Sequence, residues 1–108
     1  MVEEKLIKLR ELAKIYAKNY AQRQYLEEFK KSKLAMLMKE YQEKEFNTIA
    51  AQEREARSDE RFQEILKGLK LATEKSELAR WNLEIQKLGL SLYQTEQANL
   101  RSEKKGYG

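Results

Sequence analysis

Basic side chains and aromatic rings alternate along one short stretch near the start of the chain. Three cations interleave there with three tyrosines, in the order Lys14, Tyr16, Lys18, Tyr20, Arg23 and Tyr25. Single-stranded nucleic acid suits this combination, because cations neutralise its phosphates and flat rings stack on its unpaired bases. The tyrosines also fit an apolar helix stripe, with the ring buried and the hydroxyl at its edge. The sequence leaves both interpretations open.

The wider distribution of charge favours two basic regions. Lys plus Arg outnumbers Asp plus Glu by 22 to 18, a net charge of +4. The excess lies in the first third of the chain and at its C-terminal end, which is the kind of footprint that nucleic-acid-binding proteins carry. The alternative is that these charges keep a long helix soluble. The predicted nucleic-acid-binding residues are Lys14, Lys18, Arg23, Lys30, Lys31, Lys33, Arg101, Lys104 and Lys105.

The composition argues against catalytic and metal chemistry. The sequence contains no His and no Cys, so it has no Ser–His or Cys–His pair, and zinc would need an all-carboxylate site. Neighbouring glutamates such as Glu27 and Glu28 point in different directions on a helix and cannot form a carboxylate pair. No glycine-rich phosphate loop is present. The sequence therefore predicts no enzyme, no metal and no cofactor.

Long helices are the elements that must carry these side chains. Proline is absent, and strong helix formers such as Ala, Leu, Glu and Lys are frequent. We predict one helical domain over residues 1–108, with a helix over about 3–46, open to a bend near 31–33. A short helix over about 48–57 follows, with Asn47 as a candidate cap. Ser58 and Asp59 form the next break, and a last helix runs over about 59–103.

The last helix carries two apolar stripes, and these predict an oligomer. The first contains Leu71, Leu78, Trp81, Ile85, Leu88 and Leu92, and the second contains Phe62, Leu66, Leu69, Ala72, Ala79, Leu83, Leu90 and Tyr93. One stripe can pack on the first helix in a long antiparallel, coiled-coil-like hairpin, but the other still needs cover. We therefore predict an all-α homo-oligomer with Leu78–Leu92 in its interface. Trp81 fits an interface anchor better than a platform for a base.

Two glycines interrupt the same helix. Gly68 and Gly89 each cost about 1 kcal/mol relative to Ala within a helix. Either they permit a close approach of another helix, or they are tolerated without a role. An amphipathic helix could also lie on a membrane, but the polar side here mixes acids with lysines and the stripe is long and regular. Packing against a partner helix is the better explanation.

Three stretches of the second half carry a resemblance to a known family. Ala56-Arg57-Ser58-Asp59-Glu60-Arg61-Phe62 leads into the last helix, Arg80-Trp81-Asn82-Leu83-Glu84 lies within it, and the stretch from Leu88 to Leu100 ends in Arg101. In this layout residues 56–101 resemble the UvsY-type recombination mediators of bacteriophages, in which a similar turn precedes a long helix with a mid-helix Trp and a basic end. The resemblance rests on spacing.

The resemblance implies a function. A protein of this family binds single-stranded DNA without sequence preference as a homo-oligomer and has no catalytic activity. It helps to load a RecA-type recombinase onto DNA coated by single-strand-binding protein. The implied function is an accessory protein of phage recombination or replication, with single-stranded DNA, a second copy, and a recombinase or single-strand-binding protein as partners. No membrane partner is predicted.

A different class of function stays open beside it. A helical structural or adaptor protein would use the same stripe to bind a protein partner, as an assembly chaperone or a phage-encoded inhibitor of a host enzyme does. The chain opens on Met1, Val2 and two glutamates rather than on an apolar leader. On either function we expect a cytoplasmic protein, in the host cytoplasm if a phage encodes it.

Overall fold

A computed structural model of the chain describes residues 2–107. It contains three helices, α1 (Val2–Glu43), α2 (Ile49–Ser58) and α3 (Glu60–Tyr107), and no strand occurs in the described range. α2 is the short helix between α1 and α3 along the chain, and α1 pairs with α3 inside each of the two compact units described next. The predicted all-α fold class is confirmed. Residues 1 and 108 of the predicted domain lie outside the described residues.

The chain divides into two compact units. The junction unit is Lys18–Ser76, which holds the end of α1, all of α2 and the start of α3. The terminal unit combines Met1–Ala17 with Glu77–Gly108, and so pairs the start of α1 with the rest of α3.

One residue from each helix forms the core of the junction unit. Leu37 of α1 and Ala56 of α2 are completely buried, and Phe62 of α3 is 2% exposed. Leu34, Met38, Tyr41 and Leu66 pack around them. A fully buried leucine or phenylalanine contributes roughly 1.5–3 kcal/mol relative to an exposed one, so this cluster holds the three helices together.

A polar network fastens the end of α1 to the start of α3. The Arg61 guanidinium donates to the Glu40 carboxylate at 2.6 Å and to both oxygens of Asp59 at 3.1 Å. Asp59 also accepts from the Tyr41 hydroxyl at 2.8 Å and from the Arg61 backbone N–H at 2.8 Å, so it caps α3. These hydrogen bonds, first from Arg61 and then from Tyr41, hold the pKa of Asp59 well below its usual range.

α1 ends at Glu43, which is earlier than the predicted end near residue 46. The reason is that the chain turns sharply after Glu43. Glu45 adopts a left-handed conformation with φ 75°. The Phe46 N–H then donates to the Tyr41 carbonyl, the Glu45 N–H donates to the Gln42 carbonyl, and the Phe46 ring meets the Tyr41 ring edge-on at 5.6 Å. This is the Schellman arrangement, with a glutamate where glycine is usual.

The structure answers one point that the sequence left open and corrects one cap. α1 is one uninterrupted helix through residues 31–33, because a run of lysines disturbs the apolar stripe without disturbing the backbone ladder. Thr48, rather than Asn47, caps α2: its hydroxyl accepts from the Ala51 N–H at 3.1 Å. Asn47 precedes the cap by one residue, which is too far from the first turn to accept that hydrogen bond.

The terminal unit has little buried surface. Among its described residues only Ala79 is buried. Lys5 of α1 places its ammonium 5.0 Å from the centre of the Tyr93 ring of α3, and this contact pairs the start of one helix with the later part of the other.

We predict that Glu45→Gly stabilises the protein by about 1 kcal/mol, because glycine adopts the left-handed conformation without the steric cost of a side chain. Chemical denaturation measures the change. Glu43→Gly is the matched control, and it should destabilise by roughly 0.5–1 kcal/mol because that residue is helical. Equal effects of the two variants would contradict the role given to Glu45.

We also predict that acid weakens the junction. Asp59 has a lower pKa in the folded chain than its ordinary 3.8, so the unfolded chain takes up the proton first. The free energy of unfolding should therefore fall as the pH drops below about 4. Asp59→Asn keeps a capping oxygen but removes the charge, and should flatten this dependence. Denaturation curves over this pH range test it, with Glu60→Gln as the control. An unchanged slope in Asp59→Asn would contradict the assignment.

Candidate interaction surfaces

α3 is apolar on two sides, and α1 covers one of them. The buried positions of α3 are Phe62, Leu69, Ala72, Ser76 and Ala79, and Leu83, Leu90 and Tyr93 continue the series half-buried. Steps of three, four and seven residues keep these side chains on one face of the helix. The second of the two predicted stripes is therefore the one that α1 covers.

The other predicted stripe lies in the open. Five of its members, which we call the α3 stripe, are between 55 and 65% exposed: Leu78, Trp81, Ile85, Leu88 and Leu92. With about 100° between successive residues, the stripe lies on nearly the opposite side of α3 from the buried series. It is a heptad-spaced apolar face with no covering element in the described part of the terminal unit.

Charged side chains border one flank of the α3 stripe. Arg80 donates to Glu77 at 2.8 Å, and its guanidinium carbon lies 4.7 Å from the centre of the Trp81 ring. The hydrogen bond to Glu77 raises the pKa of Arg80. Lys87 pairs with Glu84 at 3.2 Å. These are exposed i,i+3 pairs, which contribute little to stability and can exchange partners readily.

The structure does not gather the six predicted basic residues of α1 on one face. Lys14 and Lys18 share a face, Arg23 and Lys30 point to nearly the opposite side, and Lys31 and Lys33 lie on the flanks between them. Three of them form ion pairs with glutamates one turn away, in the pairs Lys14–Glu11, Lys30–Glu27 and Lys31–Glu28. Lys33 is half-buried and helps to lower the pKa of Glu40. Closeness along the sequence suggested one basic patch, but the helix turns these side chains to different sides.

The predicted basic residues near the end of α3 do share a face. Arg101, Lys104 and Lys105 are exposed and separated by three and four residues, while Glu103 points the other way. Cations here also interact favourably with the C-terminal end of the helix dipole.

The tyrosines of α1 lie at its surface. Tyr16 is half-buried, Tyr20 is exposed and accepts from the Gln24 amide at 2.6 Å, and Tyr25 is exposed and stacks on Phe29 with ring centres 6.0 Å apart. Tyr20 and Tyr25 are therefore not core residues, and a core role remains compatible only with Tyr16.

A groove between α1 and α3 in the junction unit has no counterpart among the sequence predictions. This groove, which we call the Gly68 groove, has a volume of about 650 Å³ and is lined by Lys18, Gln22, Leu26, Gly68, Leu71 and Lys75. A Cβ atom built on Gly68 or on Gly89 meets nothing within 4 Å, so neither glycine supports a close helix approach. At Gly68 the missing side chain instead leaves space beside α1. The small residue inside the helix was the only signal for it.

Neither a metal site nor a membrane-spanning helix is found in the described residues. No group of three or more Asp, Glu, His or Cys side chains in residues 2–107 is placed to hold a metal ion. None of the helices in those residues has a stretch long and apolar enough to cross a bilayer.

Comparisons with known proteins give no relative for this chain: no family model, no curated protein and no solved structure matches it. The resemblance to UvsY-type mediators stays a prediction.

Proposed function

We propose that the protein is a non-enzymatic helical interaction protein that acts as a homo-oligomer assembled through the α3 stripe. One observation carries the proposal: five large apolar side chains stand at heptad spacing, more than half exposed, on a helix whose other side is already buried. A soluble monomer rarely exposes a contiguous apolar surface of this kind. Covering the stripe would contribute on the order of 5 kcal/mol, enough to support association.

The carboxylates and cations of the junction unit support the non-enzymatic part. Glu40 and Asp59 converge, but both are engaged by Arg61, and this arrangement ties α1 to α3. A general acid or base needs a carboxyl group that can exchange its proton near neutral pH. The lowered pKa of Asp59 suits a structural carboxylate.

We predict that Trp81→Ala weakens self-association more than tenfold, because a central Trp is the usual anchor of a helical interface and its loss costs about 2 kcal/mol or more. Sedimentation analysis over a range of protein concentrations measures this. The junction unit should stay folded, since Trp81 lies at the surface of the single chain and outside that unit. Ile49→Ala is the matched control, because Ile49 is exposed on α2 and outside the stripe. A parent protein that stays monomeric at about 100 µM would overturn the proposal.

Single-stranded DNA binding in phage recombination or replication is the second candidate function. The observation that favours it is the exposed basic face of Arg101, Lys104 and Lys105, which an oligomer would present in several copies. As a mediator of this kind, the protein would contact a recombinase or single-strand-binding protein as well as DNA.

We predict that, if this candidate holds, labelled oligo-dT binds with an affinity that falls steeply between about 50 and 200 mM salt. Changing Arg101, Lys104 and Lys105 together to Ala should weaken binding and reduce the slope of log affinity against log salt by about 2. Fluorescence anisotropy measures both. The control changes Lys14, Lys30 and Lys31, which already pair with glutamates on α1. Absence of binding at low salt would rule this candidate out and leave a protein partner.

A further inference from the structure

The Gly68 groove has the chemistry of a receptor site. Leu26 and Leu71 supply apolar walls, and Lys18 and Lys75 stand at its rim, one on each helix. Neither lysine forms an ion pair within residues 2–107, and no acidic side chain lines the groove. Its volume of about 650 Å³ lies within the roughly 300–1,000 Å³ of typical ligand pockets. The groove therefore fits a bulky apolar group that carries negative charge beside it.

The α3 stripe has the complementary chemistry. Trp81 and Ile85 are bulky, exposed and apolar, and Glu77 and Glu84 border them along one flank. Both carboxylates pair with cations one turn away in exposed ion pairs, which are weak enough to be exchanged for lysines across an interface. Size, polarity and charge thus match between two surfaces of the same chain.

We propose that the Gly68 groove of one copy receives Trp81 and its neighbours on the α3 stripe of a second copy, with Lys18 and Lys75 facing Glu77 and Glu84. The inference rests on the proposed function, since it says what covers the stripe. Because the two surfaces differ, the contact is heterologous, and each copy keeps one unfilled groove and one uncovered stripe. Such an assembly grows with concentration, or closes into a ring, instead of stopping at a two-fold dimer.

Two variants separate the two halves of this contact. Gly68→Leu fills the groove and leaves the stripe intact, and it should fold, since open space surrounds the position and leucine is the better helix former. Trp81→Glu disables the stripe and leaves the groove intact. Gly106→Leu is the matched control, because a Cβ there also meets open space but lies outside both surfaces.

The decisive experiment mixes the two variants and measures mass by light scattering or sedimentation. Each variant alone should be monomeric, whereas a one-to-one mixture should form a single species of twice the 12.9 kDa chain mass, because one intact contact remains. Gly106→Leu should assemble like the parent.

The opposite results are equally specific. A Gly68→Leu variant that assembles like the parent, or a mixture that stays monomeric, overturns the groove contact while leaving assembly through the stripe in place. A parent that never assembles overturns the proposed function as well. Loss of oligo-dT binding in Gly68→Leu with unchanged assembly would assign the groove to nucleic acid and overturn the proposal.

Charge reversal gives an independent test if circular dichroism shows that Gly68→Leu is misfolded. Lys75→Glu should weaken association about tenfold, because like charges would then face each other across the contact. Glu84→Lys mixed with Lys75→Glu should restore it, since each mixed contact again pairs opposite charges. Lys70→Glu is the control, a neighbouring exposed lysine that does not line the groove. Unchanged association in Lys75→Glu would overturn the proposed contact.

Discussion

α3 is apolar on two sides, and within residues 2–107 only one other long helix, α1, is present to cover them. α1 covers the side that includes Phe62, Leu69 and Ala79. Trp81 and the rest of the α3 stripe remain exposed on the other side. Apolar surface is thus divided between a side of α3 that α1 buries and a side that stays exposed.

The junction decides which side of α3 faces α1. The left-handed Glu45 ends α1, Thr48 starts α2, and Asp59 caps α3 while holding Arg61 against Glu40. The left-handed residue and the two caps are short-range along the sequence, whereas Arg61 and Glu40 are 21 residues apart. Together they set the direction and rotation at which α3 leaves the turn. The buried cluster around Leu37 and Phe62 then fixes that rotation by packing.

Sequence periodicity predicted the helices and both stripes of α3, because a heptad pattern needs no knowledge of the partner. It did not predict the turn, where the αL residue is Glu45 and the cap is Thr48, because several polar residues there can fill each role. It grouped Lys14, Arg23 and Lys31 although the helix points them in different directions. The Gly68 groove could not be predicted from the sequence, because it forms only where two helices distant in sequence lie side by side.

The terminal unit buries little surface, so the proposed assembly would couple the folding of this unit to association. With Ala79 as the only buried residue among those described there, the paired ends of α1 and α3 gain little from each other. In the proposed assembly, a second copy that covers Trp81 and Leu88 would bind the folded helices and not the unfolded chain, and so would stabilise them by mass action. The order of this unit would then depend on the protein concentration, and dilution alone would loosen it.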